Sequence, residues 1–165
     1  MMVLRPGAAF ALAHPAHFVA LGFGAGLAPL APGTAGTLLA LPLWWLLGRG
    51  HGPLELLAAI AFLFAVGVWA CERTGRALGV ADHGAMCWDE VVAFLLVLAL
   101  TPAALAWQAA AFVLFRAFDI LKPPPIRNLE RRFKGGFGVM LDDLVAAGYT
   151  LLVLALAKRI LDAWT

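Results

Sequence analysis

The chain has 165 residues, 63% of them hydrophobic and only 13% charged, with a mean hydropathy of +0.90. Soluble domains average about 25% charged residues, so this is membrane composition, and the length gives one domain with no separate soluble module. A net charge of +2 without aromatic residues among the basic ones argues against nucleic acid, and Cys71 and Cys87 form neither a CxxC pair nor a disulfide framework.

Residues 1–33 are rich in glycine and proline, and Arg5 is the only early cation. No compact apolar core leads to a small-residue cleavage site, so the segment makes a poor signal peptide. Residues 1–15 are expected to be flexible, and His17 to Leu27 to form a short interfacial helix. Thr34 to Leu47 is the first clear apolar segment, entered through PGTAGT (Pro32 to Thr37) and left through Gly48, Arg49 and Gly50. Its length of about 21 Å falls short of a hydrocarbon core of about 30 Å. Pro53 to Cys71, interrupted only by Glu55, is long enough to cross, and Arg73, Arg76 and Gly79 end it.

After a polar loop, Val80 to Trp88, comes an uncharged run from Val91 to Phe115. One helix here would place Asp89 and Arg116 about 40 Å apart, on opposite membrane faces. Thr101-Pro102 interrupts it, and threonine followed by proline is a helix-start signal. The reading is a hairpin of two helices, Asp89 to Leu100 and Pro102 to Leu121, which returns both charge groups to one side. The second helix closes with RAFDILKPPP (Arg116 to Pro125), where Arg116 and Asp119 share a face and three prolines stop the helix. Ile126 to Phe133 is a short basic amphipathic piece, KGGFG (Lys134 to Gly138) a flexible loop, and Val139 to Leu161 the last helix.

The fold class is therefore all-α: a compact multi-helix integral membrane protein, with about four main apolar helices plus short interfacial ones, in a single domain over 1–165. The loops at 72–90 and 122–138 carry Arg73, Arg76, Lys122, Arg127, Arg131, Arg132 and Lys134, against Arg49, Lys158 and Arg159 at the other end. That excess marks the first side as cytoplasmic. Arg127, Arg131 and Arg132 read as an anionic-lipid contact. The six tryptophans read mostly as membrane-belt residues, and His14, His17 and His51 as interfacial.

Of ten acidic residues, six fall in four groups: Asp82, Asp89-Glu90, Asp119 and Asp142-Asp143. WDEVVAF (Trp88 to Phe94) and LDDLVAA (Leu141 to Ala147) each set an acidic pair at the head of an apolar helix. A single such pair is as well explained by capping. Two pairs plus Asp119, in a chain with so few charges, point to a shared site, and magnesium takes carboxylates together with substrate phosphate. In PGTAGT, Thr34, Gly36 and Thr37 either cap a helix or present N–H and hydroxyl groups to an anion. Arg116 and Lys122 either hold a phosphate or snorkel to lipid headgroups, and His83, beside Asp82, either ligates, relays protons or is simply solvated. CERTGR (Cys71 to Arg76) has four residues between cysteine and arginine, not the five of a cysteine phosphatase loop. With no DxDx[TV] motif and no histidine-phosphatase signature, metal-assisted phosphoryl transfer to water is left.

Together PGTAGT, DHG (82–84), WDE (88–90), FRxxDxxKPxPI (Phe115 to Ile126) and GGxGxMxDD (Gly135 to Asp143) resemble the bacterial phosphatidylglycerophosphatase A family, collinearly from about Phe18 to Ala147. The resemblance implies a magnesium-dependent enzyme of the bacterial inner membrane, multi-pass, with its active site facing the cytoplasm. It would convert phosphatidylglycerophosphate to phosphatidylglycerol and phosphate. It carries over Thr34, Asp82, His83, Asp89, Glu90, Arg116, Asp119, Lys122, Asp142 and Asp143 as polar motif residues; of these, Asp89, Glu90, Asp142 and Asp143 are expected to organise magnesium, Arg116 and Lys122 to hold the phosphate, and Asp82 or His83 to handle the proton. Thr37 departs from an expected serine and keeps the hydroxyl. A phosphatase for another lipid phosphomonoester, such as phosphatidic acid, and a small cation transporter are the rival readings. A transporter should spread its acids through the membrane depth, whereas these cluster at helix ends.

Overall fold

The computed structural model describes residues 5–124, 126 and 132–164. Among them all regular structure is helical: α1 (Ala8–Ala13), α2 (Pro15–Ala20), a 3₁₀ segment (Gly22–Leu27), α3 (Pro32–Leu47), α4 (Pro53–Leu78), α5 (Trp88–Leu100), α6 (Leu105–Leu121) and α7 (Gly135–Trp164). Arg127 and Arg131, and with them most of the basic piece expected between Ile126 and Phe133, lie outside the described residues.

Helix α5 is the centre. Its sequence, WDEVVAFLLVLAL, has no polar face, and every residue from Trp88 to Leu98 except Leu96 is buried. A helix apolar all round belongs inside a protein, and α3, α4 and α7 pack around this one. α4 (26 residues) and α7 (30 residues) are the two helices long and apolar enough to cross a membrane, and α3 is a shorter apolar helix. Leu54, Phe62 and Trp69 of α4, Leu152 and Ile160 of α7, and Val113 and Ile120 of α6 turn large apolar side chains outward. Such a surface suits a membrane-associated protein.

The hairpin reading holds, with its second start moved. Thr101 ends α5 in extended conformation and its hydroxyl donates to the Val97 carbonyl (2.7 Å), while α6 begins only at Leu105, after Ala104. A threonine hydroxyl bonded to the carbonyl one turn back closes the helix behind it rather than opening the next. The expected loop at KGGFG is also different: Gly135 to Gly138 are the first turn of α7. Two causes act together. Glu72 of α4 accepts the Gly136 N–H (2.7 Å), and a Cβ on Gly136 would meet the Val68 carbonyl oxygen at 2.1 Å. The glycines let α7 start in contact with α4, and the α4 carboxylate supplies its cap. α4 itself runs through Arg73 and Arg76 to a left-handed Gly79 (φ 74°).

Two side chains read as interfacial are internal. Trp88 is buried and donates its indole N–H to the Leu63 carbonyl (3.2 Å). His17 is buried against Thr74 (2.9 Å) and stacked on Phe10, and burial, helped by His14 and Arg73, lowers the pKa of its imidazole from the ordinary value.

Gly136→Ala is expected to lower the thermal midpoint in detergent by about 4–8 °C, the effect of overpacking at about 2 kcal/mol. Gly148→Ala, in the same helix with nothing within 4 Å of its Cβ position, should leave the midpoint unchanged or raise it.

Candidate active site

Four helix ends meet at one pole: the N-termini of α3, α5 and α7 and the C-terminus of α6. Asp89 and Glu90 occupy the first turn of α5, a position the helix dipole favours for acids. Asp143 reaches them from α7. One carboxylate oxygen from each of the three lies within 4.8 Å of the other two. All three residues are at least nine-tenths buried, and Asp89 Oδ1, Glu90 Oε2 and Asp143 Oδ2 have no hydrogen-bond partner. Desolvation and mutual repulsion both oppose three ionised carboxylates at this spacing, unless a cation sits among them. A hard divalent cation taking only oxygen ligands fits that donor set.

A cavity of about 150 Å³ runs past this group, lined by Asp82, Asp89, Glu90, Asp119, Lys122, Asp142 and Asp143. Asp142 is adjacent to Asp143 but turned about 100° from it. It therefore faces Lys122, whose Nζ is 3.5 Å from Asp142 Oδ2. Lys122 is the C-cap of α6 in left-handed conformation (φ 42°, ψ 62°), its N–H donating to the Phe118 carbonyl. A non-glycine residue held there, directly before Pro123, is strained by on the order of 1 kcal/mol or more. In this conformation the ammonium lies against Asp142 of α7.

Arg116 stands one layer behind the cavity. Its Nη1 is 2.6 Å from Asp119 Oδ2, 3.5 Å from Glu90 Oε1 and within hydrogen-bond reach of Thr37 Oγ1 (3.4 Å). Thr37 in turn donates to the Gly33 carbonyl (3.0 Å). Gly33 explains how α3 comes so close: a Cβ there would stand 2.1 Å from Glu90 Oε1. Gly36 does the same against Cys87, whose carbonyl would lie 2.7 Å from its Cβ. The glycines of PGTAGT thus bring a helix end against α5. Burial pushes the Cys87 thiol well up, which makes it a packing group rather than a nucleophile.

The structure therefore brings Asp82, Asp89, Glu90, Asp119, Lys122, Asp142 and Asp143 around one cavity. Arg116, Thr37 and Gly36 form the layer behind it, and Thr34 sits half-buried in the first turn of α3. His83 is buried and lines a neighbouring cavity instead. Sequence reasoning missed Gly33 as a contact to Glu90 and Glu72 as the cap of α7. The first signal was present inside PGTAGT. The second was not, because Glu72 and Gly136 are joined only by folding.

The phosphatidylglycerophosphatase A family model matches residues 18–158. A protein of Escherichia coli (strain K12) named phosphatidylglycerophosphatase A is 42% identical over 137 residues, covering 82% of this chain and 78% of its own length. Its namesake in Haemophilus influenzae is 45% identical over 144 residues, 86% of this chain and 88% of that protein. A Bacteroides thetaiotaomicron protein bearing a provisional phosphatidylinositol-3-phosphatase name is 39% identical over 150 residues, 87% and 93% of the two chains. No solved structure matches the chain.

The three-carboxylate geometry makes a prediction of its own. Asp143→Asn should weaken divalent-cation binding by at least about tenfold in a calorimetric titration, the effect of losing one charged ligand. Asp142→Asn, outside the tight group, should weaken it less.

Proposed function

The chain belongs to the phosphatidylglycerophosphatase A family of lipid phosphomonoester hydrolases, and from that premise we propose that it removes the terminal phosphate of phosphatidylglycerophosphate. The products are phosphatidylglycerol and phosphate, the reaction depends on magnesium, and it takes place at the cytoplasmic face of the bacterial inner membrane. The observation that carries this reading is the cluster of three buried carboxylates with unpartnered oxygens, beside a lysine on the same cavity.

Asp89, Glu90 and Asp143 would hold the magnesium, with Asp142 on the adjoining wall. When bound, the ion supplies positive charge to the phosphate oxygens and lowers the pKa of a coordinated water. Lys122, on the lining of the same cavity, holds a phosphate oxygen. Asp82, on the cavity wall, accepts the proton that the attacking water loses as its oxygen bonds to phosphorus. The bond from phosphorus to the glycerol oxygen breaks, and that oxygen takes the proton back from Asp82 to become the free hydroxyl of the product. Arg116 holds Glu90 and Asp119 in place, and Thr37 ties the α3 end to Arg116. Little covalent chemistry is asked of the protein, so positioning and charge account for the rate.

The membrane placement rests on the same pole. Arg73, Arg76, Lys122, Arg132 and Lys134 lie at or near the helix ends that make the site, and Arg49, Lys158 and Arg159 lie towards the opposite end. By charge bias the site end is cytoplasmic. Outward apolar residues on α4, α6 and α7 leave the acyl chains in the bilayer while the phosphate enters from the interface. One observation favours a second reading, hydrolysis of another lipid phosphomonoester: the relative from Bacteroides thetaiotaomicron is named for a different headgroup.

Purified protein in vesicles should release phosphate from phosphatidylglycerophosphate with magnesium and not with a chelator. Asp89→Asn should cut that rate at least about 100-fold while the protein still inserts. Unchanged turnover in the variant would remove the metal assignment, and faster release from phosphatidic acid or phosphatidylinositol 3-phosphate would favour the second reading. Lys122→Met should raise KM by about tenfold or more, through loss of a charge-assisted contact.

A further inference from the structure

Beside the carboxylate cavity lies a second one, of about 550 Å³, within the range of small-molecule sites. The two share the wall made by Asp82 and Gly84. Their chemistry differs. The first is acid-rich with one lysine. The second is bordered by Arg5, Leu27, Pro29, Pro32 and His83, and Asp82 is its sole acid among the described residues.

Two donors are available there. The Arg5 guanidinium carries five N–H groups and makes one long bond, to the Pro29 carbonyl at 3.5 Å. His83 accepts the Ala85 N–H at Nδ1 (3.1 Å), while its own carbonyl accepts the Met86 N–H (2.7 Å). A ring nitrogen that accepts a hydrogen bond carries no proton, so the neutral imidazole has its proton on Nε2. His83 is thus set as a hydrogen-bond donor, not as a base. Leu30, next in sequence to the lining residue Pro29, exposes its side chain, as do Leu12, Phe18 and Phe23 elsewhere in the N-terminal segment, and outward apolar groups of this kind suit a surface meeting lipid.

We propose that this second cavity receives the phosphodiester and glycerol portion of the substrate headgroup, with the Arg5 guanidinium and His83 Nε2–H donating to it. The inference rests on phosphatidylglycerophosphate being the substrate. That lipid carries two phosphates separated by one glycerol: a terminal monoester, which must reach the carboxylates, and a diester next to the acyl chains. A subsite for the diester has to adjoin the reacting site, offer donors rather than acids, and lie on the lipid side. Phosphatidic acid has the monoester alone and would leave the second cavity unused. Arg5 and His83 are then the residues that select the headgroup.

The test compares kcat/KM for phosphatidylglycerophosphate and for phosphatidic acid, using the full-length protein in mixed micelles. Arg5→Gln and His83→Ala should each lower the ratio of the two by about tenfold, the effect of one charge-assisted or well-placed hydrogen bond. His83→Gln can put an amide N–H where Nε2 stood, so it should restore the ratio and keep the wild-type shape of the pH–rate profile. Equal losses on both substrates, or a ratio unmoved in Arg5→Gln and His83→Ala, would overturn the subsite. A pH profile that loses its acidic limb in His83→Gln would make His83 a proton acceptor and overturn it as well. Wild-type protein inert towards phosphatidylglycerophosphate would instead remove the substrate reading, whereas normal turnover with an unmoved ratio removes only the subsite.

Discussion

Arg116 joins the helices that make the site. Its guanidinium bridges Glu90 of α5 and Asp119 of its own helix and reaches the Thr37 hydroxyl of α3. Each of these groups is largely removed from water, and an unpaired buried carboxylate costs several kcal/mol. Removing the arginine would leave two such carboxylates in one place, so the pairing determines how closely three helices pack. Gly33 and Gly36 make the approach sterically possible, because a Cβ at either position would collide with Glu90 or Cys87.

This requirement explains why the charged groups gather at one end. α5 is only 13 residues, about 20 Å long, and buried on all sides. An acidic pair in such a helix is tolerable only at its first turn, where the dipole, α7 and the Arg116 layer can reach it. The longer α4 and α7 flank it and carry the lipid-suited surface. Among the described residues Asp82, Asp89, Glu90, Asp119, Asp142 and Asp143 line one cavity at that end.

The two cavities divide the work by chemistry. Carboxylates that would hold a cation sit in the smaller one, and donors suited to an anion or hydroxyl sit in the larger. Asp82 stands between them. A residue at the junction of a reacting phosphate and its leaving glycerol is well placed to move a proton, whereas His83, with Nδ1 occupied by a backbone N–H, is better suited to holding than to exchanging.

Much of this was legible along the chain. Thr101-Pro102 marked the reversal between α5 and α6, and the scarcity of charge made the two acidic pairs visible as a site. Helix character and breaks are local properties, written in periodicity and in the restrictions of proline and glycine. The rest depended on contacts between segments far apart. Whether Gly135 to Gly138 is loop or helix is decided by Glu72, 64 residues before Gly136. Trp88 and His17 have the composition of interfacial residues, and packing alone put them inside. Of the adjacent Asp142 and Asp143, the sequence could say only that they point about 100° apart. Which one joins Asp89 and Glu90 and which meets Lys122 was settled by the rotation and spacing of α7 against α5 and α6. Side-chain chemistry is carried by each residue, but a shared site exists only where helix packing brings those residues within ligand distance.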